Sequence, residues 1–90
     1  MIVSIDKLFQ KAKSKKLPGV RYEDNEGEVT LRCNPQTVYL QSAEQRYSIS
    51  YIGYKEWEDV VFYLACVGAD GRKEFFKIFD EQYLVEYCTQ

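Results

Sequence analysis

A chain of 90 residues with a formal charge of −2, 46% hydrophobic and 29% charged, is expected to fold as a single domain spanning residues 1–90. No apolar run approaches the roughly 18 residues of a transmembrane helix. The start, Met1-Ile2-Val3-Ser4-Ile5-Asp6, lacks the basic and apolar regions of a signal peptide. The absence of histidine excludes Ser-His and Cys-His nucleophile pairs and every His-containing zinc site.

The charge is unevenly divided. Residues 1–21 hold six Lys/Arg and one acid, a balance of +5, whereas residues 22–90 hold six Lys/Arg and thirteen acids, a balance of −7. An acidic body repels nucleic acid in general, while the basic start retains a local attraction. Cys33, Cys66 and Cys88 are widely spaced and contain no C-x-x-C pair. They read as reduced thiols of a cytoplasmic protein, small buried hydrophobes rather than metal ligands, so neither metal nor cofactor is expected.

Ser4 is placed to cap a helix in which Ile5, Leu8, Phe9 and Ala12 recur at i, i+3, i+4 and i+7. Asp6 near its start and Lys11, Lys13, Lys15 and Lys16 toward its end suit the helix dipole, and Leu17-Pro18-Gly19 ends it. A short strand at Val20-Arg21-Tyr22 leads into a turn over residues 23–27, where Gly27 is free to take positive φ. The carboxylates of that turn lack the spacing of a calcium loop.

Three alternating strands are predicted next. Residues 28–33 place Val29, Leu31 and Cys33 on one face, residues 37–41 place Val38 and Leu40, and residues 46–52 place Tyr47, Ile49 and Tyr51. A tight turn at Asn34-Pro35 sets Leu31 opposite Val38 and Val29 opposite Leu40. A four-residue loop over 42–45 sets Leu40 opposite Tyr47 and Val38 opposite Ile49. The reverse face is polar, with Thr30, Arg32, Thr37, Tyr39, Ser48 and Ser50.

The second half is greasier. Residues 59–67 and 73–79 flank Gly68-Ala69-Asp70-Gly71-Arg72, and Asp-Gly between two β-rich runs signals a hairpin. Centring the turn on Asp70-Gly71 pairs Phe62 with Ile78 and Leu64 with Phe76 on one face. It pairs Val61 with Phe79, Tyr63 with Lys77 and Ala65 with Phe75 on the other. Trp57, Val60, Val61, Leu64 and Val67 also approximate a helical stripe, but Val60-Val61-Phe62-Tyr63 favours strand. Both faces of this hairpin are largely apolar, so the second requires a cover. Asp80 and Glu81 open a short C-terminal helix striped by Tyr83, Leu84, Tyr87 and Cys88, which forms only if it packs on the sheet. The expected fold class is therefore α+β: an N-terminal helix, an antiparallel meander sheet of five to six strands, and a short C-terminal helix. The two helical stripes are expected to cover most of the second apolar face; the alternative is a partner or a second copy of the chain that completes the cover.

No P-loop, G-x-G-x-x-G or G-x-S-x-G motif is present. Carboxylate pairs such as Glu56/Glu58 and Glu26/Glu28 lack a pocket to desolvate them, so no enzyme is expected. Eight tyrosines and Trp57 give the chain the composition of a binding surface. The expected function is a small noncatalytic protein-binding module, an inhibitor or adaptor. It docks on a larger protein through Tyr54, Glu56, Trp57, Glu58, Asp59 and Tyr63. The acids among these suit a partner whose basic surface is built for nucleic acid.

In size, acidity and lack of catalytic motifs the chain is similar to the small inhibitors that phages carry against host defences, anti-CRISPR proteins among them. That likeness assigns no residue. Two alternatives stand beside it. One is a nucleic-acid-binding module whose Lys11, Lys13, Lys15, Lys16 and Arg21 contact phosphate. The other is a self-associating assembly subunit, a homodimer formed by edge pairing or by the Val61, Tyr63, Phe75 and Phe79 face.

Overall fold

The computed structural model describes residues 1–42, 44–55 and 61–88. Strand β1 (Ile2–Ser4) runs directly into helix α1 (Ile5–Ser14). Ser4 caps the helix as expected: its Oγ accepts a hydrogen bond from Lys7 N at 3.1 Å. Ile5, Leu8 and Phe9 are buried, and Ala12 packs against the same core. Beyond the helix, Gly19 takes φ 79° where Leu17 bridges back to Val20.

Strands β2 (Val20–Asn25) and β3 (Glu28–Cys33) form a hairpin. Its two turn residues, Glu26 and Gly27, take φ 57° and 86°, the mirror-image turn geometry that matches strand twist. Gly27 N donates to Asp24 Oδ1 at 3.1 Å, which ties the turn down.

The chain then departs from a simple meander. Strands β3 and β4 (Val38–Gln41) do not face each other. They lie end to end along one edge of β5 (Arg46–Lys55), with Arg32 opposite Tyr51 and Tyr39 opposite Ser48. The expected pairs Leu31–Val38 and Val29–Leu40 therefore do not form. Residues 34–37 loop out instead of reversing the chain. Thr37 N donates to Asn34 O, Gln36 sits at φ 64°, and Thr37 itself is fully buried. Asn34 N donates to Gly19 O at 2.8 Å, so the loop is fastened to the segment after α1. The expected pair Leu40–Tyr47 does form.

The pairing of β5 shifts register between Ile49 and Tyr51. Tyr47 and Ile49 are buried before the shift, and Ile52 is buried after it. Tyr51 is thereby turned to the other face, which corrects the grouping of Tyr47, Ile49 and Tyr51. One extra residue on a strand inverts the alternation that follows it.

Strands β6 (Phe62–Val67) and β7 (Lys73–Ile78) pair as the Asp-Gly turn requires: Phe62 with Ile78, Tyr63 with Lys77, Leu64 with Phe76, and Ala65 with Phe75. Gly71 supplies the positive φ, 83°.

The C-terminal helix does not form. Asp80 Oδ1 accepts from Gln82 N at 2.9 Å and Asp80 O accepts from Tyr83 N, which makes a turn. Strand β8 (Leu84–Tyr87) follows, with Val85 and Tyr87 buried and Leu84 exposed. This period of two competes with the helical stripe and wins, because β8 gains backbone partners on both sides, β4 and β1.

Among the described residues the fold is α+β, with eight antiparallel strands and one helix rather than five to six strands and two helices. The sheet forks at residues 34–37: the outer side of β3 pairs with β2, and that of β4 pairs with β8 and then β1. Strands β6 and β7 extend the opposite edge of β5. Leu31, Leu40, Ile49, Ile52, Leu64 and Val85 of the sheet are fully buried with Ile5 and Leu8 of α1. No described helix is long and apolar enough to cross a membrane.

Candidate functional site

Helix α1 packs on the core side of the sheet. Its Phe9 ring lies 6.0 Å from that of Tyr54 and 5.4 Å from that of Phe62. Tyr54 and Phe62 stack on each other at 5.2 Å. Tyr54, expected at a partner surface, is thus half-buried against the core. Tyr63 points the other way, paired with Gly53 and Lys77 on the outer face. The two tyrosines grouped by sequence stand on opposite faces of one sheet. Glu56, Trp57, Glu58 and Asp59 lie outside the described residues.

Register arranges the outer face into rows, because directly opposed residues of an antiparallel pair point the same way. Arg21, Arg32, Tyr51, Ala65 and Phe75 form one row. Glu23, Thr30, Gly53, Tyr63 and Lys77 form the next. Phe75 is 82% exposed, Phe79 just beyond β7 is 71% exposed, and Tyr63 is 38% exposed. Nothing among the described residues roofs them.

Between the aromatic side chains the floor is low. A groove of about 240 Å³ is lined by Thr30, Tyr51, Gly53, Lys55 and Tyr63, among others. The Tyr51 ring leans over Gly53, and a Cβ at position 53 would sit 2.8 Å from Tyr51 Oη.

Cations are interleaved with these rings. The Arg32 guanidinium lies 5.6 Å from the Tyr51 ring centre, and Lys77 Nζ lies 5.7 Å from that of Tyr63. Glu23 pairs with Arg21 at 2.9 Å and approaches Arg32 at 4.0 Å, and Glu28 pairs with Lys55 at 3.8 Å. Arg21, Arg32, Lys55, Lys73 and Lys77 outnumber Glu23 and Glu28 on this part of the sheet. The described face is therefore basic, opposite in sign to the chain as a whole.

The five cations of the nucleic-acid alternative do not form one stripe. Lys11 lies beside Met1, Ile2 and Leu84. Lys13 borders a small hollow with Phe9, Tyr22 and Tyr54. Lys15 caps the end of α1 through its backbone N–H, which donates to Lys11 O. Lys16 and Arg21 come together with Arg32 and Asn34 in an open groove of about 480 Å³.

Cys33, Cys66 and Cys88 are free thiols. Burial pushes the Cys33 thiol up to about 12, with the neighbouring Cys66 adding to the effect. Burial does the same to Cys66, also to about 12, with Glu74 contributing. Groups so reluctant to ionise are poor nucleophiles and fill core volume. On the other wing of the fork, Arg46 binds Glu86 and lies 3.6 Å from the Tyr39 ring centre, a clasp across β5, β4 and β8.

Sequence patterning groups Tyr63, Phe75 and Phe79 on one apolar face. It assigns Tyr51 to the core, since nothing in the residue types betrays the register shift at Ile49/Tyr51. Comparison of the chain with protein-family models, curated proteins and solved structures gives no match.

Proposed function

We propose that this chain is a noncatalytic protein-binding module, an inhibitor or adaptor, that docks through the outer face of β5, β6 and β7. The observation that carries the proposal is the exposure of Phe75 beside Tyr63 on a face that α1 leaves open, with Phe79 exposed just past the end of β7. A cluster of large exposed apolar side chains on a small domain marks an interaction surface. Aromatic rings supply contact area at small cost in side-chain entropy and dominate binding energy in known interfaces. Lys73 and Lys77 flank Phe75 and suit a partner with an acidic rim.

A second reading has its own observation. Lys16, Arg21 and Arg32 share one groove, and Arg32 lies against Tyr51, an arrangement that suits phosphate contact next to a stacked base.

Capture of partners by the immobilised chain, with and without nuclease, separates the two. Docking through the apolar face predicts a captured protein that survives nuclease and 0.5 M salt (an ionic strength of about that order screens surface charge). It further predicts that Phe75→Asp releases this protein while Arg32→Glu does not. Capture abolished by nuclease and by Arg32→Glu, and indifferent to Phe75→Asp, assigns the function to nucleic acid instead.

A further inference from the structure

Three strands have a single neighbour among the described residues: β1, β2 and β7. An edge strand presents unpaired N–H and C=O groups, and proteins usually blunt such edges by shortness or charge. Strand β1 has three residues. Strand β2 carries Arg21, Glu23 and Asp24. Strand β7 is six residues long, contains Phe75, Phe76 and Ile78, and runs on to Phe79.

We propose that β7 pairs antiparallel with β7 of a second copy, about a twofold axis through Phe76. The backbone permits it. In the β6–β7 hairpin Gly68 N donates to Arg72 O, so the alternation of the ladder directs the backbone groups of Glu74, Phe76 and Ile78 toward β6. Those of Lys73, Phe75 and Lys77 point to the free edge.

Side chains select the register. Core-facing residues meet core-facing residues only when the axis passes through a residue. Centring on Glu74 opposes two carboxylates. Centring on Phe75 opposes Lys73 to Lys77 of the second copy, and centring on Lys77 opposes two ammonium groups. Like charges directly opposite are unfavourable. Centring on Phe76 opposes Lys77 to Phe75 and Lys73 to Phe79, four cation–aromatic pairs by symmetry. On the core side Phe76, already edge-on to Tyr47 at 5.1 Å, meets its own copy. The joined sheets place two Tyr63–Phe75 patches side by side. In this respect the inference extends the docking face proposed above and rests on that reading; the pairing itself does not.

The test is the mass of the chain in solution, by sedimentation equilibrium. The wild type is expected at twice 10.6 kDa. In this register position 75 faces position 77 of the second copy. Phe75→Glu therefore meets Lys77 and is expected to remain a dimer. Phe75→Lys meets Lys77 and is expected to weaken the dimer by about tenfold or more, and adding Lys77→Glu to Phe75→Lys restores it. All these changes lie on exposed positions, and a circular-dichroism melt of each variant confirms folding. A wild-type mass of one chain across the concentration range overturns the pairing. Equal weakening by Phe75→Glu and Phe75→Lys overturns the register. A monomer that still loses its captured protein on Phe75→Asp overturns the dimer and leaves the docking face standing. A dimer whose capture ignores that change does the reverse.

Discussion

Tyr54 stacks on Phe62 with their planes inclined by 22°, while Tyr63, the next residue after Phe62, stands on the opposite face beside Lys77. The adjacent aromatic residues Phe62 and Tyr63 thus serve the core and the surface in turn, divided by strand alternation alone. Substitutions should divide the same way. Phe62→Ala is expected to lower the unfolding free energy by about 3–5 kcal/mol, the usual cost of emptying a buried phenylalanine site. Tyr54→Ala should cost about 2 kcal/mol and Phe75→Ser, read at concentrations low enough to keep the chain monomeric, no more than about 0.5 kcal/mol, as expected for partly buried and surface positions. Urea denaturation followed by circular dichroism checks all three.

Two glycines at positive φ allow crowding to be separated from backbone strain. Gly19 has φ 79°, and a Cβ there would lie 2.8 Å from Thr37 Cγ2 and Oγ1. Thr37 is fully buried, and its carbonyl accepts from Cys88 N at 2.7 Å. Gly71 has φ 83° with open space around it. Gly71→Ala should cost about 1 kcal/mol from the left-handed conformation, and Gly19→Ala should exceed it because Thr37 must also move. Paired thermal melts measure the difference, and equal costs would contradict the close approach of Thr37 to position 19.

The cysteines give a pH dependence with a definite sign. The native Cys33 and Cys66 thiols ionise only near about 12, whereas their unperturbed value is 9.0. Above pH 9 the unfolded chain releases protons that the folded chain retains, so these two groups make stability fall between pH 9 and about 12. Their contribution is fully present below pH 9. At pH 8 a thiol reagent is expected to label Cys88, which is half-buried, well before the other two. Denaturant should then release Cys33 and Cys66. Fast labelling of all three in the folded protein would contradict their burial.

Much of the fold was legible because it is local. The Ser4 cap, the Ile5-Leu8-Phe9-Ala12 stripe and the Asp70-Gly71 hairpin register all follow from residues close in sequence, and all three form. What was not legible is set by distant partners. The Asn34-Pro35 signal marks a change of course but not its direction; the loop continues along β5 because Asn34 N finds Gly19 O. The segment around residues 84–87 satisfies both a helical stripe and a strand alternation, and pairing with both β4 and β1 decides for strand. The same limit applied to the site. Tyr51 reaches the outer face only through the register shift in β5, and Tyr54 is drawn inward by Phe9.

Position-specific photocrosslinking is the most direct test of the outer face as a docking surface. Benzoylphenylalanine is placed in turn at positions 63, 75 and 13, the last on the helix side. The expected result is an adduct with a larger protein from positions 63 and 75 and none from position 13. Adducts from position 13, with none from positions 63 or 75, would contradict it.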